Sequence, residues 1–237
     1  MNREDQNLNP HYDDLYFSES DGMDESLYVF IEGNNLTERL PDLEQITVGE
    51  TGFGTGLNFL TLLNQVGRER KKPLRLTYLC LEKYPLTGER ITALLAPFRN
   101  RLKDLMPLYE KYWTAFYEKL TPGWNRADWS FPGAEVHFEL YFGDGKDWAK
   151  EQGKPCVNAW FLDGHSPEKN PDIWAPEIME AVFARTALEG TLASFTSAGI
   201  VKRALRGAGF FIKRKKGFGK KRHMIQGYRP LEEREGL

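Results

Sequence analysis

The sequence of 237 residues predicts an α/β fold with a doubly wound, mostly parallel sheet. At residues 46–66, a short apolar run is followed by a glycine-rich turn and then by apolar residues at helical spacing. Further strand-like apolar segments alternate with helix-like stretches along the chain. Right-handed crossovers make such strands parallel, so we expect a ligand beyond their carboxyl ends.

The predicted sheet has seven strands, the last of which is antiparallel. We expect them at residues 46–48, 74–81, 136–142, 157–162, 191–195, 210–214 and 223–228. Only about eight residues join the last two strands, whereas a parallel connection needs a dozen or more.

Two segments lie outside this regular pattern. Residues 1–45 are expected to form a small N-terminal β extension, with strands at 12–17 and 26–32 and a further short one at 34–40. At about 87–131 we expect a helical, aromatic-rich insertion that Pro97 and Pro107 break into short helices. The main domain then spans residues 46–229, and residues 230–237 form a tail.

The composition excludes several classes of protein. With 41% apolar and 28% charged residues and a net charge of −2, the chain is typical of a soluble globular protein. Cys80 and Cys156 are its only cysteines, which favours a reducing compartment over a disulfide framework. No His and Cys residues have metal-ligand spacing, and no signal region or membrane-length apolar run occurs. We therefore expect a cytoplasmic, metal-free monomer.

The charges are unevenly distributed along the chain. Residues 1–50 contain 13 acidic and two basic residues, whereas residues 190–231 contain 11 Lys and Arg and no acid. Seven of these bases lie within ten residues, at Lys213, Arg214, Lys215, Lys216, Lys220, Lys221 and Arg222. Such a cluster favours a polyanionic partner, although a solvated turn that protects a sheet edge is the alternative.

The glycine-rich turn has the pattern Glu50-x-Gly52-x-Gly54-x-Gly56. Glycines permit positive φ and close approach of a ligand, and the following helix N-terminus offers free N–H groups. The spacing differs from the dinucleotide fingerprint G-x-G-x-x-G and resembles the first motif of Rossmann-like S-adenosylmethionine-dependent methyltransferases. A turn required only for strand–helix packing is the alternative.

Acidic residues follow three of the other predicted strands. Glu82 ends the second strand, where a carboxylate can accept hydrogen bonds from two ribose hydroxyls. Asp144 follows Gly143 after the third strand and can accept from an adenine amino group. Asp163 opens a loop at residues 163–174 that we interpret as functional, although a well-capped connecting loop has the same pattern.

Seven segments together resemble the methyltransferase domain of the MnmC/MnmD tRNA wobble-uridine modification enzymes. They are DDLYFS (13–18), GFGTGLNF (52–59), EKYPLT (82–87), WFLDG (160–164), KNPDIW (169–174), FTSAG (195–199) and RKKGFGKKR (214–222). The resemblance implies methyl transfer from S-adenosylmethionine to the primary amine of 5-aminomethyluridine, often 2-thiolated, in the anticodon stem-loop of tRNA. It also implies a stand-alone form without the flavin-dependent oxidase domain of the bifunctional members.

The resemblance assigns roles to individual residues. Asp163 is expected to orient the amine or accept its proton, and Tyr16 and His165 to contact the uridine. His165 stands where the family usually has Phe. The expected cofactor-binding residues are Glu50, Gly52, Gly54, Thr55, Gly56, Asn58, Glu82, Lys83, Gly143, Asp144 and Asp163. The expected RNA-binding residues are Lys215, Lys216, Lys220, Lys221 and Arg222.

Three other functions remain open at this point. An aminopropyltransferase that uses decarboxylated S-adenosylmethionine would keep the fold but leave the basic C-terminal stretch unexplained. A non-catalytic RNA-binding module would leave the glycines and strand-end acids without a use. An NAD-dependent reductase is disfavoured by the glycine spacing.

Overall fold

The computed structural model of the protein describes residues 7–17, 22–67 and 72–231. Two short strands, β1 (Leu8–Asn9) and β2 (Asp14–Leu15), pair antiparallel near the N-terminus. The main sheet has eight strands: β3 (Gln45–Glu50), β4 (Leu74–Glu82), β5 (Gly123–Phe131), β6 (Ala134–Phe142), β7 (Val157–Phe161), β8 (Thr186–Ser194), β9 (Phe211–Lys216) and β10 (His223–Tyr228). Their order across the sheet is β5-β6-β4-β3-β7-β8-β10-β9.

Most of the sheet is parallel, as the sequence predicts. The five central strands, β6, β4, β3, β7 and β8, pair parallel with one another. The last strand, β10, lies antiparallel between β8 and β9. The carboxyl ends of β3, β4, β6 and β7 therefore meet at one edge of the sheet, where the predicted site residues follow them.

Helices cover both faces of the sheet. They are α1 (Gly22–Ser26), α2 (Leu36–Arg39), α3 (Leu57–Val66), α4 (Gly88–Leu95), α5 (Met106–Tyr117), α6 (Gly145–Lys150), α7 (Pro176–Arg185) and α8 (Gly199–Gly207). A π-helical turn, Leu27–Ile31, continues α1 directly. Single 3-10 turns lie at Glu32–Asn34, Leu40–Asp42, Ala96–Phe98 and Asp172–Trp174. No helix of the described residues has the length and apolar character needed to cross a membrane.

Buried side chains form two clusters, one on each face of the main sheet. Alternate residues of a strand enter different clusters, as Tyr78 and Leu79 of β4 do. One cluster includes side chains of α1, α3, α4 and α5, and the other includes side chains of α6, α7 and α8. Burial on both faces explains why β4 consists almost entirely of apolar residues.

The sequence-based prediction of a helical insertion over residues 87–131 is wrong at its end. Residues Gly123–Phe131 form β5, an edge strand that pairs antiparallel with β6 through the two-residue turn 132–133. The sheet therefore has eight strands instead of seven. Ala127, Trp129 and Phe131 alternate with polar residues, which is the period of a half-buried strand.

The predicted strands at residues 26–32 and 34–40 are also wrong, because both segments are helical. The apolar, β-branched run in the first segment favours a strand locally. In the structure Val29, Phe30 and Ile31 are buried in the core, and the Phe30 ring lies 5.4 Å from that of Phe161 in β7. Tertiary packing of the segment against the sheet outweighs its local preference. Of the predicted strand at residues 12–17, only Asp14–Leu15 is a strand.

Candidate active site

A cavity of about 520 Å³ opens at the edge of the sheet where β3, β4, β6 and β7 end. This volume lies in the range of roughly 300–1,000 Å³ that small-molecule sites occupy. Residues from the N-terminal ranges 9–17 and 22–30 form a further wall, and Phe195 and Lys221 also line the cavity. The cavity therefore lies between the predicted strand ends and an N-terminal element of which the sequence predicts only Tyr16 to contribute.

The glycine-rich turn lies at the floor of the cavity. Gly52 and Gly54 line the cavity directly, and Gly54 has a φ of 53°, which is the left-handed region that favours glycine. A Cβ atom at Gly52 would lie 2.7 Å from the Cα atom of Gly164, so the loops after β3 and β7 meet backbone to backbone. This close approach brings Asp163 beside the glycine turn.

Glu82 is held in the cavity by two backbone donors. Its Oε2 atom accepts a hydrogen bond of 2.7 Å from the Gly54 N–H, and its Oε1 atom accepts one of 2.8 Å from the Tyr84 N–H. A carboxylate offers about four lone-pair positions, so each oxygen can still accept a further hydrogen bond. The carboxylate is thus oriented to receive a pair of neighbouring hydroxyls, as the sequence predicts for a ribose.

Asp144 caps α6 and pairs with Lys83. Its Oδ1 atom accepts from the Lys146 N–H at 2.9 Å, and its Oδ2 atom accepts from Lys83 Nζ at 2.8 Å. The hydrogen bond from Lys83 lowers the pKa of Asp144, so that this side chain is a hydrogen-bond acceptor at neutral pH. Both residues line the cavity, beside Gly143.

Asp163 belongs to a buried polar network beneath the cavity. Asn58 Nδ2 donates to Asp163 Oδ2 at 2.8 Å and to Glu50 Oε1 at 2.7 Å. The Gly164 N–H donates to Asp163 Oδ1 at 2.9 Å, and the Tyr78 hydroxyl donates to Glu50 Oε2 at 2.7 Å. One asparagine amide therefore bridges two carboxyl groups and fixes the orientation of Asp163.

Burial raises the pKa of both carboxyl groups, Asp163 and Glu50. It raises the pKa of Asp163, and it raises the pKa of Glu50 well above the usual range, with the nearby Asp163 charge as a further cause. A carboxylate with a raised pKa is a better proton acceptor near neutral pH. Asp163 lines the cavity, whereas Glu50 lies behind it and has no exposed surface.

Of the remaining residues predicted to bind the cofactor, some line the cavity and others do not. Thr55 and Asn58 line the cavity. Gly56 does not, because it is the residue before α3, with a φ of 76°, and a Cβ atom there would meet the Tyr109 hydroxyl at 2.3 Å. Glu50 and Gly56 can therefore act on a ligand only through the residues that they hold in place.

Aromatic side chains form the outer wall of the cavity. The His165 ring lies 4.9 Å from that of Tyr12 and 5.8 Å from that of Tyr16, and its Nε2 atom accepts from Asn9 Nδ2 at 2.8 Å. Burial, followed by the Glu82 charge, raises the pKa of each tyrosine to about 12, so both hydroxyls stay protonated. Tyr16 and His165 are thus placed in the wall where the sequence predicts a base to bind.

The basic hairpin between β9 and β10 folds back toward the cavity. The Tyr28 hydroxyl donates to the Lys216 carbonyl oxygen at 3.1 Å, and Lys221 Nζ lies 2.5 Å from Glu25 Oε1. Lys221 lines the cavity. The other predicted RNA-binding residues are exposed outside it, namely Lys215, Lys216, Lys220 and Arg222.

The sequence interpretation missed several cavity residues on the N-terminal side. Glu25, Ser26 and Phe30 line the cavity, but the sequence predicts a strand for Ser26 and Phe30 and no role for Glu25. Their helical arrangement depends on packing against the sheet, for which the local sequence gives no signal. Phe195 also lines the cavity and lies in a segment that carries the family resemblance, although we gave it no role.

The lining of the cavity fits S-adenosylmethionine. No group of three or more His, Cys, Asp and Glu in the described ranges could hold a metal. An added Cβ at Gly54 would have only Tyr16 as a neighbour, at 3.5 Å, so the backbone of the turn is open to a ligand on the cavity side. Glu82 would hold the ribose, Asp144 the adenine and the glycine turn the methionine part.

A mostly parallel sheet of this order with a cavity at its carboxyl edge is typical of the class of Rossmann-like methyltransferases. Residues 107–230 match a family described as S-adenosyl-L-methionine-dependent methyltransferase, and the chain belongs to this family. A crystal structure of MnmC2 from Aquifex aeolicus has the same fold, with a TM-score of 0.69 and 23% identity. That comparison covers 95% of this chain and 69% of the other.

Two MnmC proteins are similar to the chain over nearly its whole length. Each is named tRNA 5-methylaminomethyl-2-thiouridine biosynthesis bifunctional protein MnmC. The protein from Actinobacillus pleuropneumoniae is 36% identical over 235 residues, and that from Nitrosospira multiformis is 39% identical over 227 residues. The matches cover 95% and 92% of this chain but only 34% of either relative. These findings confirm the predicted resemblance to the MnmC methyltransferase domain.

Proposed function

We propose that the protein methylates the aminomethyl nitrogen of 5-aminomethyluridine, with or without a 2-thio group, at the wobble position of tRNA. The product is 5-methylaminomethyl(-2-thio)uridine. The position of Asp163 supports this proposal most directly, because a carboxyl group with a raised pKa lies beside the predicted cofactor site and faces an aromatic-walled cavity. The similarity to MnmC proteins supports the choice of RNA substrate, which would place the protein in the cytoplasm.

The residues of the chain have two tasks in this reaction, positioning and proton removal. Bound S-adenosylmethionine supplies an electrophilic methyl group on a sulfonium sulfur. The aromatic wall that contains Tyr16 and His165 would hold the uridine ring, so that its amine points toward the cavity floor. Positioning of this kind contributes much of the rate in a two-substrate reaction.

Asp163 would accept the proton that the amine must lose. Only the neutral amine has a free electron pair for the new carbon–nitrogen bond. The pKa of Asp163 is raised by burial, and its two oxygens are fixed by Asn58 and the Gly164 N–H. A fixed carboxylate with this pKa can receive the proton without first reorganising.

A labelled-methyl assay tests the function. We expect methyl from S-adenosylmethionine to enter tRNA that carries 5-aminomethyl-2-thiouridine, with all the label recovered as 5-methylaminomethyl-2-thiouridine after nucleoside analysis. The matched control is the same tRNA with an unmodified wobble uridine, which should take up no label. Label in any other nucleoside, or transfer to free amines with no transfer to tRNA, would contradict the proposal.

The basic hairpin would bind the phosphate backbone of the tRNA. Seven bases within ten residues create a field that a phosphate backbone can neutralise with release of counterions. Replacing Lys215, Lys216, Lys220 and Lys221 with Ala should weaken binding of all tRNA species alike, since phosphate contacts do not read sequence. It should also flatten the slope of log affinity against log salt by roughly 0.7 per lost contact.

A salt titration with a matched quadruple variant measures this effect. Lys103, Lys111, Lys119 and Lys154 are exposed and do not line the cavity, so their replacement with Ala removes the same charge elsewhere. We expect this control to keep nearly the whole salt slope. If the hairpin variant keeps its tRNA affinity and salt slope, or loses no more of either than the control variant, the hairpin is only a solvated sheet edge and the RNA site lies elsewhere.

A further inference from the structure

One ion pair of the described chain lies at the rim of the cavity and joins two elements far apart in sequence. Lys221 Nζ lies 2.5 Å from Glu25 Oε1, and the two residues are 196 positions apart. Both residues line the cavity. The Glu25 side chain is 18% exposed and that of Lys221 is 49% exposed, so the acid is mostly buried while the lysine is half exposed.

The residue after Glu25 provides a second, independent observation. Ser26 is only 2% exposed and lines the same cavity, and its Oγ atom has no hydrogen-bond partner among the described residues. Buried polar atoms are rarely left unpaired, because an unmade hydrogen bond is costly away from water. A charged and a neutral acceptor thus lie side by side on the cavity wall.

Glu25 and Asp163 both line this cavity. Burial is the main cause of the raised pKa of Asp163, and the Glu25 charge raises it further. A ligand in the cavity would therefore lie in a field to which both carboxylates contribute negative charge. Such a space favours a cation, and the substrate of the proposed reaction has an alkylamine that is protonated at neutral pH.

Lys221 is the group that an RNA can remove from Glu25. It lies on the exposed hairpin, with its Nζ 4.8 Å above the Phe195 ring, and the surrounding bases already favour a phosphate backbone. Phosphate binding by Lys221 would leave Glu25 without a counter-ion at the moment when the amine arrives. The exchange replaces the Glu25–Lys221 ion pair by two others, Lys221 with a phosphate and Glu25 with the amine. No charge therefore remains buried without a partner.

We propose that Glu25 receives the cationic amine of the modified uridine, assisted by Ser26, and that Lys221 is its temporary counter-ion, which moves to an RNA phosphate on binding. This inference rests on the proposed function. It assigns recognition of the amine to Glu25 and removal of its proton to Asp163. It also makes amine recognition depend on engagement of the RNA backbone, so a free small amine would find Glu25 already paired.

Binding measurements with two RNAs test this assignment without turnover. The RNAs are one anticodon stem-loop with 5-aminomethyluridine and the same stem-loop with plain uridine, both with S-adenosylhomocysteine present. We expect Glu25→Gln to weaken the amine-bearing RNA by on the order of tenfold or more, as for loss of a charge-assisted hydrogen bond. Affinity for the plain RNA should change little. Lys221→Met should weaken both RNAs equally and flatten the salt slope by roughly 0.7.

Asp24→Asn is the matched control for Glu25→Gln. Asp24 lies in the same helix and pairs with Arg101 at 2.6 Å, but it is exposed and does not line the cavity. Its removal should leave the preference for the amine-bearing RNA intact. If Glu25→Gln fails to fold, Glu25→Asp, which keeps the charge but withdraws it by one methylene, should lower the same preference.

The outcomes separate this inference from the proposed function. If the wild-type protein prefers the amine-bearing RNA and Glu25→Gln keeps the full preference, or weakens both RNAs equally, the Glu25 assignment is overturned and the function stands. If the wild-type protein binds S-adenosylhomocysteine but shows no preference for the amine-bearing RNA, the recognition of a cationic amine by Glu25 is overturned. The proposed function is contradicted only if no label enters the amine-bearing tRNA in the labelled-methyl assay, since a substrate group need not strengthen ground-state binding.

Discussion

Replacement of Asp163 with Ala should lower kcat for methyl transfer on the order of 10²-fold or more, the usual loss for a general base. The side chain lines the cavity and is held by Asn58 and the Gly164 N–H, so it is fixed before any substrate arrives. Asp163→Asn should lower kcat by a comparable factor, because an amide cannot accept the proton. Single-turnover rates with saturating tRNA and cofactor measure the chemical step directly.

Cofactor binding separates this role of Asp163 from a structural one. The thermal shift caused by S-adenosylhomocysteine should persist in Asp163→Asn, which can still accept a hydrogen bond from the Gly164 N–H. Asp13→Asn is the control, since Asp13 forms an exposed ion pair with Lys169 near the same loop, and Asn tolerates its φ of 48°. Near wild-type kcat in Asp163→Ala would exclude a catalytic role. Loss of the thermal shift in Asp163→Asn would instead assign the residue to cofactor binding.

The floor of the site was predictable because it depends on strand ends. Gly52, Gly54, Glu82, Asp144 and Asp163 each follow a strand whose apolar run is evident in the sequence. Parallel strands place their carboxyl ends at one edge, so these residues must meet there whatever the details of packing. The structure brings all five to the lining of one cavity.

The N-terminal wall of the cavity was not predictable in this way. Glu25 and Ser26 belong to a segment whose apolar and β-branched residues favour a strand by local preference. The segment is helical because Val29, Phe30 and Ile31 are buried against the sheet, and that packing joins residues far apart in the chain. The contact between Glu25 and Lys221 depends on the same distant packing.

The sequence does contain a pattern typical of a strand at β5, within the segment for which we predict a helical insertion. Ala127, Trp129 and Phe131 are spaced by two, and a Pro-Gly turn follows them before the next strand. The preceding aromatic residues, such as Tyr109 and Trp113 in α5, are at helical spacing. The predicted helical insertion continues this pattern to about residue 131, whereas the helix ends at Tyr117. The error changed the strand count but did not affect the site, because β5 lies at the outer edge of the sheet.

Replacement of Gly54 with Val should abolish binding of S-adenosylmethionine. Gly54 has a φ of 53°, which a β-branched residue adopts only with strain, and its N–H orients the Glu82 carboxylate. The added side chain would also project beside Tyr16 into the cavity. A saturating ligand at 100 times its Kd stabilises a fold by about 2.7 kcal/mol, and the variant should lose this stabilisation in a thermal unfolding assay. NAD should cause no shift in either protein.

Gly219→Val provides the control that isolates backbone strain from obstruction of the site. Gly219 has a φ of 55°, nearly that of Gly54, and an added Cβ would have no neighbour within 4 Å. Both variants should therefore be destabilised by the same backbone conformation, but only Gly54→Val should lose the response to S-adenosylmethionine. A normal ligand response in Gly54→Val would show that the glycine turn serves packing alone. A response to NAD in place of S-adenosylmethionine would overturn the assignment of the cofactor to this cavity.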